Sequence, residues 1–104
     1  MEQDREAYVE AVLGIVEQVP PGRVTTYGAI ADALVDRFGG GPRQVGAVLA
    51  RHGGPVPWWR VVRADGSLPP WHEVAARQAY REEGTPLRST GVPDVRRALW
   101  VPPQ

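Results

Sequence analysis

The chain has 104 residues, 42% of them apolar and 23% charged, which is the size and makeup of one small globular domain. It has no cysteine, which excludes disulfides, thiolate metal sites and a cysteine nucleophile. The formal net charge is zero and every basic residue is arginine, so any polyanion-binding surface must come from local placement rather than overall charge.

Residues 4–19 read "DREAYVEAVLGIVEQV", with Val9, Val12, Leu13 and Val16 at helical spacing. Asp4 is the expected cap and Pro20-Pro21-Gly22 the stop. Glu6, Glu10 and Glu17 mark its outer face. The next stretch, "RVTTYGAIADAL", predicts a short extended piece and then a helix capped by Thr25 or Thr26, with Ile30, Ala33 and Leu34 facing inward. Three glycines at 39–41 break that helix, and Pro42 suits the first position of a third one, closed by Gly53. Two helices joined by a glycine-rich turn read as helix-turn-helix.

The third helix has two distinct faces. Val45, Val48 and Leu49 form an apolar strip. Gly46, Ala47 and Ala50 form a strip of small residues, flanked by Arg43 and Arg51. Small residues serve either close helix–helix packing or the approach of a helix backbone to a nucleic-acid groove, and the flanking arginines favour the groove. Residues 37–63 carry five arginines and no acid, whereas residues 1–36 carry seven acids and two arginines. The acid-free segment is a candidate anion-facing surface, and nucleic acid is the commonest partner for one.

"PVPWWRVV" follows, with Trp58 and Trp59 adjacent. In an extended segment they would point to opposite sides. "RVVRADGSLPP" predicts a strand, an Asp-Gly turn and a return strand, which together make a wing. "HEVAARQAYREEG" predicts a fourth helix with Ala75, Ala76, Ala79 and Tyr80 inward and Gly84 as stop. The last stretch, "PDVRRALWVPP", is a short element whose Leu99 and Trp100 pack on the core. The reading is a single domain over residues 1–104, with residues 91–104 an irregular extension packed on it. His52 and His72 lie too far apart for a metal motif, and neither metal nor cofactor is expected. The acidic first residues predict no signal peptide and the lack of a long apolar run predicts no membrane span, so the cytoplasm is the default location; a monomer without membrane contact is expected.

"VPPGRVTTYGAIA", "PRQVGAVLA" and "PVPWWRVV" resemble, in order and spacing, the DNA-binding domain of O6-alkylguanine-DNA alkyltransferases. The resemblance covers about residues 5–84. The transferases carry Pro-Cys-His-Arg where this chain has Pro57, Trp58, Trp59 and Arg60. Tryptophan at the cysteine position resembles the alkyltransferase-like branch, whose members bind O6-alkylguanine in duplex DNA, flip it out and mark it for nucleotide excision repair without transferring the alkyl group. That branch usually keeps histidine or has glutamine where this chain has Trp59.

The resemblance implies an α+β, mostly helical fold of winged helix-turn-helix type. It assigns DNA contact to Thr26, Tyr27, Arg43, Gln44, Gly46, Ala47, Ala50 and Arg51. Within that set Arg43 is the finger that replaces the extruded base, and Tyr27 turns the target phosphate. The lesion pocket is expected to comprise Tyr27, Val56, Pro57, Trp58, Arg60 and Trp71. Val56 and Pro57 would offer backbone groups, and Arg60 would brace the loop through backbone carbonyls. Gly54 stands where the transferases have a hinge asparagine. Trp71 either contacts the alkyl group or caps the fourth helix. Trp59 is expected to be structural, under the wing, and Glu83 to be a solvated residue or an ion-pair partner. Partners are DNA carrying the lesion and nucleotide excision repair proteins. A sequence-specific winged-helix regulator and a protein-interaction module are the alternatives; the first needs base-reading side chains that the small strip lacks.

Overall fold

The computed structural model describes residues 2–69 and 72–103, so the expectations for Trp71 fall outside the described residues. Helix α1 spans Glu2–Gln18. It buries Val12 and Val16 completely, with Val9 and Leu13 half-buried beside them. Because α1 starts at Glu2, Asp4 lies inside it and is not the cap. Asp4 and Glu6 instead lie in its first turns, where acids complement the positive end of the helix dipole. Gly22 turns the chain after Pro20-Pro21 at φ +85, where a Cβ would press on the Glu83 carbonyl at 3.0 Å. Only glycine fits such a position without strain.

Strand β1 (Thr25–Thr26) runs straight into α2 (Tyr27–Phe38). Thr26 is the cap: its Oγ1 accepts from the Ala29 N–H at 3.0 Å, while the Thr25 hydroxyl is buried without a partner. Ile30, Ala31 and Leu34 are buried. Ala33, expected inward, is only half-buried, because Ala31 shares the face of Leu34. Helix α3 (Pro42–His52) has Gly41 at its N-cap, Pro42 in the first position and Gly53 at its close. Val45 and Val48 face the core.

Strand β2 (Val61–Val62) pairs with β1 in parallel, in the register Thr25↔Val61 and Thr26↔Val62. Successive strand residues face opposite ways. Here that places Val61 in one cluster with Val12, Ile30 and Val45, and Val62 in a second with Val24, Tyr80 and Ala98. The two-residue sheet therefore separates a helix-turn-helix core from a C-terminal core.

Among the described residues the wing is a tight turn and not a strand hairpin. Asp65 Oδ1 accepts from the Ser67 N–H at 2.9 Å, and the Arg63 N–H donates to the Ser67 carbonyl at 3.0 Å. No ladder continues, because Leu68 turns into the second core and Pro69 has no N–H to donate. Gly66, at φ +88, backs onto the Pro93 carbonyl, which a Cβ would strike.

Helix α4 (Glu73–Glu83) buries Ala76 and Tyr80 and ends on Gly84 at φ +71. Ala79 is half-buried, and Ala75, expected inward, is exposed, since it sits about 100° around the helix from Ala76. Helix α5 (Val95–Ala98) buries Ala98. The segment after α5 borders β1: the Trp100 N–H donates to the Val24 carbonyl at 2.7 Å, and the Val24 N–H to Ala98 at 3.0 Å. Leu99 and Trp100 are half-buried there. No helix among the described residues is long and apolar enough to cross a membrane.

Candidate nucleic-acid interface

The two faces of α3 separate as their side chains require. Its apolar side meets α1 and α2, and its other side carries exposed Arg43, Ala47, Ala50 and Arg51. A Cβ placed on Gly46 would meet no heavy atom within 4 Å. Helix–helix packing therefore does not explain the small strip: it faces open space. A helical glycine costs about 1 kcal/mol against alanine, and no packing neighbour at Gly46 among the described residues requires that cost.

Arg43 is exposed in the first turn of α3, where the helix dipole opposes a cation. Gln44 is exposed too, but its Oε1 accepts from the Gly41 N–H at 2.9 Å, so its carbonyl end is engaged in the helix start. Thr26 is spent on capping α2, which fixes Tyr27 at the first position of that helix.

Between α3 and the wing lies a cleft of about 440 Å3. Gly46, Leu49 and Ala50 form its α3 side, and Tyr27 enters from α2. Trp58 lies against it, with Leu68, Pro69 and His72 closing the far side. Gly53 and Gly54 complete the lining. Burial pushes the Tyr27 phenol above its ordinary pKa, with Arg63 pulling part of the way back. Tyr27 is thus a neutral hydroxyl at ordinary pH. Sequence reading placed Tyr27 and Trp58 in the pocket and Gly46 and Ala50 on the DNA-facing strip, which here border one cleft, and it did not name Leu49, Leu68, Pro69 and His72. Leu68, Pro69 and His72 reach this cleft from beyond the wing turn, and such a long-range approach leaves no signature in sequence.

Three other residues expected in the pocket do not line the cleft with their side chains. The Val56 side chain is buried in the first core, Pro57 is not part of the lining, and Arg60 Nη1 donates to the Val19 carbonyl at 3.0 Å, a backbone-carbonyl brace of the kind expected of it. The reason is local geometry. Trp58–Arg60 is a turn of 3-10 helix rather than an extended segment, so the adjacent rings do not point to opposite sides. They meet edge to face, with centroids 5.6 Å apart and planes at 85°. Trp58 also contacts the His72 ring at 4.9 Å, and both indoles pack against the second core.

Glu83 holds this turn. Its carboxylate accepts from Trp59 Nε1 at 3.0 Å, from Arg60 Nε at 3.1 Å and Nη2 at 2.6 Å, and from the Gly22 N–H at 3.1 Å. Arg60 Nη1 reaches the Val19 carbonyl at 3.0 Å. Burial pushes the Glu83 carboxyl up, but the bonds from Arg60, Gly22 and Trp59, with the Arg60 charge, outweigh it and hold the pKa below the ordinary value. One turn earlier, Tyr80 donates to the Trp59 carbonyl at 2.7 Å. Burial, then the nearby Tyr27 and Glu83, push the Tyr80 phenol up, so it stays protonated. Tyr80 and Glu83 are three apart and share a helix face; that spacing was the available signal for this clamp.

A second, more open hollow of about 360 Å3 lies between α1 and the end of α3, beside Arg5, Glu6, Glu10 and His52. Among the described residues no three ligating groups gather to hold a metal.

Residues 7–85 match the family model described as 6-O-methylguanine DNA methyltransferase, DNA binding domain. The chain is 37% identical over 105 residues to the DNA base-flipping protein of Escherichia coli strain K12, covering 94% of this chain and 78% of that protein. It is 29% identical over 101 residues to the DNA base-flipping protein of Vibrio parahaemolyticus, covering 93% and 99%. Its fold matches that of S. pombe Atl1, solved in complex with damaged DNA containing O6-carboxymethylguanine, with a TM-score of 0.76. That match has 27% identity and covers 93% of this chain and 97% of Atl1. The small-faced helix, the aromatic cleft beside it and these matched relatives agree: the chain belongs to the alkyltransferase-like branch of the 6-O-methylguanine DNA methyltransferase DNA-binding-domain family.

Proposed function

We propose that this chain reads O6-alkylguanine in duplex DNA by flipping the base out, without removing its alkyl group. The observation that carries the reading is an aromatic-walled cleft of about 440 Å3 opening beside a helix face that bears no bulky side chain. In this reading α3 lies in the minor groove along Gly46, Ala47 and Ala50, with Arg51 near phosphates. Arg43 enters the stack in place of the extruded base, offering a planar cation that stacks and hydrogen-bonds. Tyr27 turns the target phosphate at the mouth of the cleft. The flipped base then lies beside Trp58, whose ring tolerates any base face and favours the added apolar bulk. Flipping costs a few kcal/mol, which phosphate contacts, Arg43 insertion and stacking together must exceed.

Trp58 takes the position of the acceptor cysteine in this reading. Alkyl transfer needs an activated nucleophile, and an indole offers one N–H donor and none. The lesion therefore stays on the base, and the bound complex marks it for nucleotide excision repair. The E. coli and Vibrio relatives, named for base flipping, and Atl1, seen on DNA carrying O6-carboxymethylguanine, support the reading. The protein acts as a cytoplasmic monomer on chromosomal DNA, with no cofactor.

The test is a titration of one duplex, with and without a central O6-methylguanine, at fixed salt. Tighter binding of the modified duplex is expected, with no label transferred to the protein from radiolabelled methylated DNA. Equal affinity for both duplexes overturns the reading, and covalent label overturns its non-enzymatic part.

A further inference from the structure

The adjacent indoles differ in what their N–H groups do. Trp59 Nε1 donates to Glu83 Oε2 at 3.0 Å. Trp58 Nε1 donates to no group among the described residues, yet it is not among their buried polar atoms left unpaired. It therefore keeps exposed surface, and the Trp58 ring is one wall of the cleft. The turn that carries it is fixed from behind by Tyr80 and Glu83, so this donor is held in place before any ligand arrives.

A fixed donor is informative about one atom of the base. Guanine N1 carries a hydrogen and donates. Alkylation at O6 removes that hydrogen and leaves N1 with a lone pair that accepts. An N–H facing N1 bonds the alkylated base and confronts the normal one with a second donor. A site that hydrogen-bonds one ligand and leaves a buried group unpaired with the other discriminates far more strongly than a pocket that accommodates extra methyls. Stacking alone lacks this property, since every base has a ring face.

We propose that the Trp58 indole N–H is the specificity-determining donor, bonding N1 of the flipped base. The inference rests on the proposed function above and deepens it: the ligand class is purines whose N1 is an acceptor, whatever the alkyl group at O6.

The experiment places guanine, O6-methylguanine or 1-deaza-O6-methylguanine opposite an abasic site, so that no base pair is broken, and measures affinity for the unaltered protein and for Trp58→Phe. The unaltered protein is expected to bind O6-methylguanine about tenfold more tightly than its 1-deaza analogue, as suits one hydrogen bond in a closed site. Trp58→Phe keeps a ring and loses the donor, so it should bind the two alike. Equal affinity of the unaltered protein for the two alkylated bases overturns the inference, and this arm decides alone if Trp58→Phe does not fold. If O6-methylguanine binds no better than guanine, the proposed function falls as well, which separates the two failures.

Discussion

Trp59 Nε1 lies 3.0 Å from Glu83 Oε2, across the gap between the Trp58–Arg60 turn and the last turn of α4. The same carboxylate takes two bonds from Arg60 and one from the Gly22 N–H. One acid thus ties together three segments separated by up to 61 positions in the chain. Trp58, the neighbouring ring, meets Trp59 edge to face and lines the cleft.

Glu83→Ala should be among the most destabilising single changes. Both side chains of the Arg60–Glu83 pair are 13% exposed, so removing the acid strands a largely buried cation. The expected loss is about 3 kcal/mol, read by urea or thermal unfolding. The pair also sets the acid response. Glu83 has a folded pKa below its unfolded value. Its stabilisation is therefore present above the unfolded value of about 4.3 and is lost as pH falls through the folded one. Glu83→Gln should flatten that acid limb; an unchanged limb would place the acid sensitivity elsewhere.

Tyr80→Phe removes one hydroxyl and leaves the Trp59 carbonyl without its donor. The expected cost is about 1 kcal/mol of stability. Tryptophan fluorescence should also change in the free protein, because the turn carrying both indoles loosens. A silent spectrum would show that Glu83 alone suffices to hold the turn.

Gly46→Ala and Ala50→Leu separate packing from ligand approach. Gly46 has open space where a Cβ would go, so alanine should stabilise the helix by up to about 1 kcal/mol. Ala50 is exposed, and leucine there should leave the melting temperature close to unchanged. Ala50→Leu, which adds bulk to the strip and the cleft edge, should nevertheless weaken duplex binding severalfold. Retained affinity in Ala50→Leu would remove this face from the interface.

Arg43→Ala deletes an exposed cation that forms no salt bridge among the described residues, so stability should hold. Affinity for lesion and plain duplex should fall together, by about tenfold or more for a stacking and charge contact. A binding isotherm that does not move on either duplex removes the finger from the mechanism.

Trp58→Ala should act differently from Arg43→Ala. Loss of a stacking wall is worth about 1–3 kcal/mol per base, and only a flipped base meets that wall. Preference for the lesion duplex should therefore drop more than affinity for the plain one. Equal losses on both would mean that Trp58 only shapes the turn.

Much of this molecule is written locally. Helical periodicity over Val9–Val16, the Thr26 cap, the glycine break at 39–41 and Pro42 at the start of α3 each act within a few residues, and each gives the element its sequence predicts. The arginine-only stretch and the small strip on α3 are likewise visible without coordinates. Where local rules compete, the sequence misleads. Asp-Gly suggested a strand hairpin, but Pro69 denies it a ladder and Leu68 is drawn into the core.

Sequence alone determined the absence of a thiol, the helix order and the position of two tryptophans beside an arginine, because these depend on residue identity and short-range pattern. Tertiary structure decided which indole N–H is bonded, whether the small strip packs or faces outward, and that the Arg60 and Val56 side chains do not line the cleft. Those outcomes depend on where α4 brings Glu83 and Tyr80 against a turn more than twenty residues earlier. Such a meeting follows from packing of the whole chain, and no window of neighbouring residues encodes it.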